Sequence, residues 1–318
     1  MPSLFICLTP LQILIAEHLI AVKKIKNATV IILAYQNNKK YDFYYQKIKL
    51  SAVRVIRVNV IPKNTLTTIF YFFKLLLIVK LKLRKNIFED VYIASIDNKY
   101  IHFIMSFISF HKLYTFDDGT ANIIATSSYY IETSVSDNAK EKILAFLGVK
   151  YNMNIIKKNI CEHYTLYDGL PNIVNQTKFL ALFPHQECNL KNNGKFIRIF
   201  IGQPLEESEV SFRVLKEFFD EFHIDYYFPH PRESNLEKLH LPKIIHTDQI
   251  IEDYIKSSLN NNPEINFEVY GLISTSILNL ANMSQRIKVM CFYNDLLMNK
   301  YADYYKIVQK YGVSIYKI

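Results

Sequence analysis

The sequence predicts an α/β chain built on parallel sheet, and three observations predict it. Short β-branched or aromatic runs of strand length alternate with longer helical or polar stretches, the pattern of parallel strands joined by crossovers. At 318 residues, 50% hydrophobic and 14% aromatic, the chain has material for one large core or two. The alternation restarts after a loop-like stretch at 180–194, where Pro184, Asn192, Asn193 and Gly194 gather, so two similar halves are expected. The same composition excludes disorder, a collagen-like chain and a disulfide scaffold.

The elements follow in order. Residues 4–8 read as a strand, Thr9-Pro10 ends it, and 11–24 is helical, with Leu11, Leu14, Ile15, Leu19 and Val22 near helical spacing. Pro10, Gln12, Glu17 and His18 interrupt this apolar opening, and no basic start precedes it, so neither a secretory signal nor a membrane anchor is expected there. An opening strand-loop-helix unit is typical of a nucleotide-binding half. Further strands are expected at 29–34, 54–60, 90–94 and 112–116, and in the second half at 196–201, 225–228, 266–270 and 287–292. Helices are expected at 208–222, at 250–259 and from Ser274. The two halves divide as 1–190, with a linker or helical segment at about 150–190, and 191–318. Two Rossmann-like halves facing across a cleft would bring ligand groups to the carboxyl ends of their strands.

Several functions are excluded by what is missing. The seven glycines are too scattered for a G-x-G-x-x-G turn or a P-loop. Cys7, Cys161, Cys188 and Cys291 form no C-x-x-C pair, which removes zinc and redox motifs and points to a reducing compartment. The net charge of +9 is concentrated: between Phe43 and Phe88 lie ten basic residues and no acidic one. Such a field attracts anionic partners or is a solvated basic face. The apolar run 67–83 carries Lys74, Lys80 and Lys82. It reads either as a peripheral membrane helix or as a core helix whose lysines reach outward.

Unusual residues stand where strands should end. The strand at 112–116 runs into Asp117-Asp118-Gly119-Thr120, two carboxylates on a tight turn, or else an ordinary Asp-rich cap. No D-x-D spacing occurs there, and no metal is inferred. The strand at 225–228 ends in Pro229-His230-Pro231-Arg232, a rigid imidazole beside a guanidinium, suited to a phosphate or simply packed. After 196–201 comes Gly202-Gln203-Pro204-Leu205-Glu206-Glu207, whose carboxylates serve a site or charge a helix start. Gly271 leads to Ser274-Thr275-Ser276, hydroxyls at a helix start that suit one phosphate or cap the helix. Glu252 opens a further helix, where a carboxylate binds ribose hydroxyls or caps.

Taken in order, Lys40-Tyr41-Asp42-Phe43-Tyr44-Tyr45, Tyr92-Ile93-Ala94-Ser95, Phe116-Asp117-Asp118-Gly119-Thr120, His163-Tyr164-Thr165, His230-Pro231-Arg232, Ile251-Glu252-Asp253-Tyr254 and Ser274-Thr275 resemble glycosyltransferase family 52, the bacterial lipooligosaccharide sialyltransferases. The resemblance spans most of the chain. It implies a GT-B fold, with an acceptor-side first domain and a second domain that binds the CMP-sugar. It also implies inverting transfer of N-acetylneuraminic acid from CMP-sialic acid to a terminal galactose, commonly in α-2,3 linkage. His230 then falls on the general acid at the CMP phosphate, with Pro231 beside it, Ser274 and Thr275 on the phosphate-binding hydroxyls, and Glu252 on the ribose carboxylate. The family's base follows the proline of the G-x-P loop at Gly202, where this chain has Leu205, so the base is Glu206, Glu207, Asp118 or its neighbour Asp117. No metal and no other cofactor is expected, because CMP leaves with a single phosphate that a histidine and a helix start can stabilise. The family implies a homodimer. With the basic stretch, it implies a cytoplasmic enzyme peripheral to the inner membrane that meets glycolipid acceptors. Two other readings compete: the same fold with another donor such as UDP-glucose, and a basic module that binds membrane or nucleic acid. The last leaves Asp117, Asp118, His230 and Ser274 unexplained, so nucleic acid is not an expected partner.

Overall fold

A computed structural model describes residues 2–83, 87–131, 144–185, 194–203, 210–231, 233 and 242–318. The chain divides into two compact units, Met1–Leu182 and Phe183–Ile318. Each is organised around its own parallel sheet, with helices in the crossovers.

The first unit places β1 (Ser3–Cys7), β2 (Ala28–Ala34), β3 (Arg54–Asn59), β4 (Ile87–Ile93), β5 (Ser109–Phe116), β6 (Ile160–Thr165) and β7 (Thr177–Phe179) in the order β3-β2-β1-β4-β5-β6-β7. β1 and β2 are buried along their whole length, which explains their unbroken apolar runs. Between these strands lie α1 (Pro10–Val22), α2 (Lys39–Ile48), α3 (Thr65–Ile78), α4 (Lys99–Ser106) and α5 (Met153–Asn159), and α3 continues into a π-helical turn, Val79–Leu83. Thr9 caps α1 by accepting from Gln12 N, and Pro10 sits in the first turn, where its missing N–H costs nothing. Asn64 and Thr67 form a reciprocal capping box that starts α3. Phe72, Leu75 and Val79 from this helix enter the core with Tyr100, Phe103 and Ile104 of α4.

The second unit contains β8 (Lys195–Ile201), β9 (Tyr226–Phe228), β10 (Lys243–Ile244), β11 (Ile265–Gly271), β12 (Ile287–Tyr293) and β13 (Ser314–Lys317), ordered β10-β9-β8-β11-β12-β13. Its helices are α6 (Phe212–Glu221), α7 (Ile251–Asn261), α8 (Thr275–Ala281), α9 (Asp295–Lys300) and α10 (Ala302–Lys310). Phe218 of α6 meets Phe200 and Phe292 edge-on, at ring-centroid distances of 5.7 and 4.5 Å, and seals one face of the sheet.

Relative to its first strand, the second sheet therefore runs 3-2-1-4-5-6 and the first runs the same way with a seventh strand added, every pairing parallel. The chain reverses direction across the sheet between β1 and β4, and again between β8 and β11. Parallel α/β sheets bind ligands at the carboxyl ends beside such a reversal.

Several expectations change. α6 begins at Phe212 rather than 208, because Ser211 is the cap and accepts from Val214 N. The stretch at about 150–190, expected as a linker or helical segment, supplies the helix α5 and, beyond that expectation, β6 and β7 of the first sheet. The run 67–83 is helical, as expected, in α3 and its π-helical turn, and among the described residues no helix is long and apolar enough to cross a bilayer.

Arg286 closes the end of α7. Its buried guanidinium donates to Leu259 O at 3.1 Å, Asn262 O at 2.5 Å and Ile265 O at 3.0 Å. Arg286→Met removes the guanidinium bonds to these carbonyls and is expected to cost about 2–3 kcal/mol, read as a lower urea midpoint for the second unit's transition.

Candidate active site

The two carboxylates of the Asp117-Asp118 turn have different surroundings. Asp117 is fully buried. Its Oδ1 accepts from His163 Nε2 at 2.9 Å, and its Oδ2 accepts from Thr165 Oγ1 at 2.9 Å and Leu166 N at 2.6 Å. The other ring nitrogen of His163 meets Thr115 Oγ1 at 2.7 Å, which fixes the imidazole between β5 and β6. Thus His163-Tyr164-Thr165 is the strand that satisfies Asp117, and both its oxygens are occupied inside the protein.

Asp118 is only half-buried, and its partners come from other strand ends. Gln12 Nε2 donates to Oδ1 at 2.5 Å, while Ser95 Oγ and Tyr129 OH each donate to Oδ2 at 2.7 Å. The backbone N–H of Asp118 bonds Asn122 Oδ1 at 2.7 Å. Gln12 in turn accepts from Leu8 N at 2.6 Å and donates to Ser95 Oγ at 3.0 Å. One hydrogen-bonded network therefore ties the loops after β1, β4 and β5, three adjacent strands, around a single carboxylate at the reversal point.

Asp97 stands at the rim of this network. One side of its carboxyl meets solvent, but the protein that withdraws water from the rest, and then the Asp118 carboxylate, push it above the ordinary carboxylate range. Burial also raises the Tyr129 phenol, and Asp118 and Asp97 add to that, so Tyr129 remains a hydrogen-bond donor at neutral pH. Asp97 and Tyr129 were not singled out from the sequence, Gln12 was named there only as an interruption of the apolar opening, and Ser95 appeared only inside a motif. The one available signal was Gln12, an amide within an otherwise apolar helix face.

In the second unit, His230 is held by its backbone. Its N–H donates to Glu233 Oε2 at 2.6 Å, Glu233 N returns to His230 O at 3.0 Å, and Tyr227 OH donates to Glu233 Oε1 at 2.5 Å. Between Pro229 and an exposed Pro231, this clamp fixes a half-buried histidine just past β9. Gly202 follows β8 beside it, and a Cβ there would run into Tyr227 and Glu233, so glycine suits this close approach. Glu233 is a further residue that sequence reasoning missed. Arg232, Pro204, Leu205, Glu206 and Glu207 lie outside the described residues.

Across the reversal, Gln203 Oε1 accepts from Ile273 N at 3.2 Å, joining the loops after β8 and β11. Ser274 caps α8 by accepting from Ser276 N at 3.2 Å, and its own carbonyl accepts from the buried Tyr304 hydroxyl at 2.8 Å. Thr275 is the first residue of that helix. Glu252 is buried in the first turn of α7 and accepts from Asn279 Nδ2 of α8 at 2.8 Å. Burial drives its carboxyl upward, against hydrogen bonds from Asn279, its own backbone and Ser276. Through Asn279 it links two helices. Among the described residues, no three His, Cys, Asp or Glu side chains gather as a metal-holding group.

Two predictions follow from these surroundings. Asp117→Asn keeps the shape but removes the charge facing His163 and puts an amide where donors already point. It is expected to destabilise the first unit by about 3 kcal/mol, visible as a lower melting temperature. Glu252 has a folded pKa above the ordinary 4.5, so the folded state holds its proton more tightly. Its contribution to stability is therefore greatest at low pH and declines as pH rises above 4.5 through the folded value. Urea midpoints measured from pH 4 to 8 should fall more for the native chain than for Glu252→Gln.

The comparisons agree with this architecture. The family model described as glycosyltransferase family 52 matches residues 26–295. A Pasteurella multocida protein named CMP-N-acetylneuraminate:beta-galactoside alpha-2,3-sialyltransferase is 31% identical over 317 residues, covering 99% of each chain. A Haemophilus influenzae protein named N-acetyllactosaminide alpha-2,3-sialyltransferase is 31% identical over 287 residues, covering 89% of this chain and 91% of its own. The crystal structure of Arabidopsis thaliana UGT89C1 complexed with quercetin aligns with a TM-score of 0.50 at 7% identity, covering 100% of this chain and 85% of that one, a likeness of fold alone. With two parallel sheets of the same strand order and a family match over most of its length, the chain belongs to glycosyltransferase family 52 and is a GT-B glycosyltransferase.

Proposed function

We propose that the chain transfers N-acetylneuraminic acid from CMP-N-acetylneuraminate to the terminal galactose of a lipooligosaccharide, forming an α-2,3 linkage with inversion and without a metal ion. The observation that carries this reading is the near-complete alignment with the Pasteurella multocida enzyme, whose name states donor, acceptor and linkage. In this reading the first unit receives the acceptor and the second holds the donor nucleotide.

Inversion needs a base on the acceptor side and stabilisation of the leaving group on the other. Asp118 takes the proton of the galactose hydroxyl as its oxygen bonds the anomeric carbon. The bond from that carbon to the phosphate oxygen breaks, its electron pair leaves with CMP, and the His230 imidazolium donates a proton to the departing oxygen. Asp118 is favoured over Asp117 because Asp117 is fully buried, whereas Asp118 is partly open. Gln12, Ser95 and Tyr129 fix the Asp118 carboxylate in one orientation, the preorganisation a general base requires. Ser274 and Thr275 bind the CMP phosphate, Glu252 serves the ribose side, and Gly202 and Pro231 shape the loops around His230. The enzyme works as a homodimer at the cytoplasmic face of the inner membrane.

Isothermal titration in EDTA tests the donor: micromolar binding of CMP with no binding of UDP is expected, and no binding of either overturns the nucleotide site. Asp118→Asn is expected to lower turnover by about 10³-fold with CMP affinity unchanged, and His230→Ala by about 10²-fold or more with the fold retained. Full activity in Asp118→Asn would move the base to Glu206 or Glu207.

A further inference from the structure

The α3 helix presents two apolar faces, and the first unit's core uses only one. Phe72, Leu75, Val79 and Leu83 are buried in that core. Leu66, Ile69, Phe70, Phe73 and Leu77 face outward, and four of the outward apolar groups are well exposed: Leu66 77%, Phe70 63%, Phe73 65% and, in the π-helical turn, Leu81 81%. At about 100° per residue, positions 66 to 77 of this set fall within an arc of about 120°, one continuous ridge opposite the buried face. Isolated exposed apolar side chains are ordinary; a ridge of this kind marks an interaction surface.

Charge selects the partner. Lys63, Lys74, Lys80 and Lys82 are all exposed along or beside the ridge. The guanidinium of Arg54, at the start of β3, donates to Lys82 O at 2.9 Å, which brings the exposed Val53 and Arg54 to the end of the same helix. The sequence from Phe43 to Phe88 offers ten basic groups and no carboxylate. Among the described residues, the ion pairs made by this stretch are Lys47 with Glu17 and Arg57 with Asp42, and none reaches Lys74, Lys80 or Lys82. A second copy placed on this face through a two-fold axis would bring like charges together, since such an axis sets the patch against itself. An anionic phospholipid surface satisfies both properties at once. Its acyl boundary takes the phenylalanines and leucines, while the lysine stems lie along it and their ammonium groups reach the phosphates.

We propose that the outer face of α3 is a docking surface for an anionic membrane, with the helix lying in the interface rather than crossing it. Its inner face is already packed in the core, so the helix has one side for protein and one for lipid. α3 follows β3 and so begins at the carboxyl edge of the sheet, the edge that carries Asp118. The proposal does not depend on the identity of the donor sugar.

Co-sedimentation of the full chain with vesicles tests it, using phosphatidylcholine alone and phosphatidylcholine with about one-third phosphatidylglycerol. The native chain is expected to bind the anionic vesicles and to bind the neutral ones weakly. Phe70→Ser with Phe73→Ser should weaken binding about ten-fold or more. Lys74→Glu with Lys80→Glu should abolish the preference for phosphatidylglycerol. The thermal melt of each variant should match the native one, since all four positions are exposed. Absence of binding to anionic vesicles overturns the proposal, as does binding that the phenylalanine pair leaves unchanged. A native dimer that Phe70→Ser with Phe73→Ser converts to monomer, with no vesicle binding by either, would assign the ridge to a contact between copies and also overturn it.

Discussion

Parallel pairing is the constraint from which the rest of this structure follows. A parallel strand cannot be joined to its neighbour by a tight turn, so every connection crosses a face of the sheet and every strand points the same way. All chain exits therefore accumulate at one edge. Where the order reverses, between β1 and β4 and between β8 and β11, successive connections depart in opposite directions and the loop ends are left without a covering crossover. Gln12, Ser95 and Asp118 occupy one such edge, and Gln203 and Ile273 the other. The chemistry-bearing residues stand there because the topology leaves open backbone there, in two units with unrelated loop sequences.

Adjacent carboxylates on one turn show how position divides labour. Successive residues leaving a strand point to opposite sides, so Asp117 turns inward and Asp118 toward the open edge. The inward group is costly unless fully satisfied. β6 meets that cost with His163, Thr165 and the Leu166 amide, and Thr115 orients the histidine. The buried pair therefore anchors β6 to β5 and sets the turn from which Asp118 projects. Removing it would disturb Asp118 without touching it, so loss of activity in an Asp117 variant would need a stability measurement before it could be called catalytic.

The same physics explains what the sequence revealed. β1 and β2, buried on both faces, are apolar throughout and legible at once, and their end points agree with expectation to within a residue at most positions. β6, whose sequence is Ile-Cys-Glu-His-Tyr-Thr, carries no such signal because two of its polar residues, His163 and Thr165, are turned to Asp117. The short edge strands β7, β10 and β13 pair on one side only and need little apolar content. Asp118 and His230 were visible because carboxylate and imidazole stand next to glycine or proline after a strand. Their supports were not. Gln12 lies 106 positions from Asp118, and Asn279 lies 27 from Glu252, separations no local pattern bridges.

The sequence of α3 admitted a core helix and a membrane-surface helix, and in the structure the helix has one buried face and one exposed apolar face. A helix between two sheet strands must bury one stripe. Evolution of the other stripe is free of the fold, and a soluble surface would ordinarily fill it with charged residues of both signs. Here it holds Leu66, Phe70 and Phe73 with lysines and no carboxylate, a pattern the packing of the first unit does not require. The capping box at Asn64 and Thr67 keeps the helix start formed without help from a partner. The outer ridge is thus presented ready-made on the first unit, and folding of the sheet does not wait on whatever covers it.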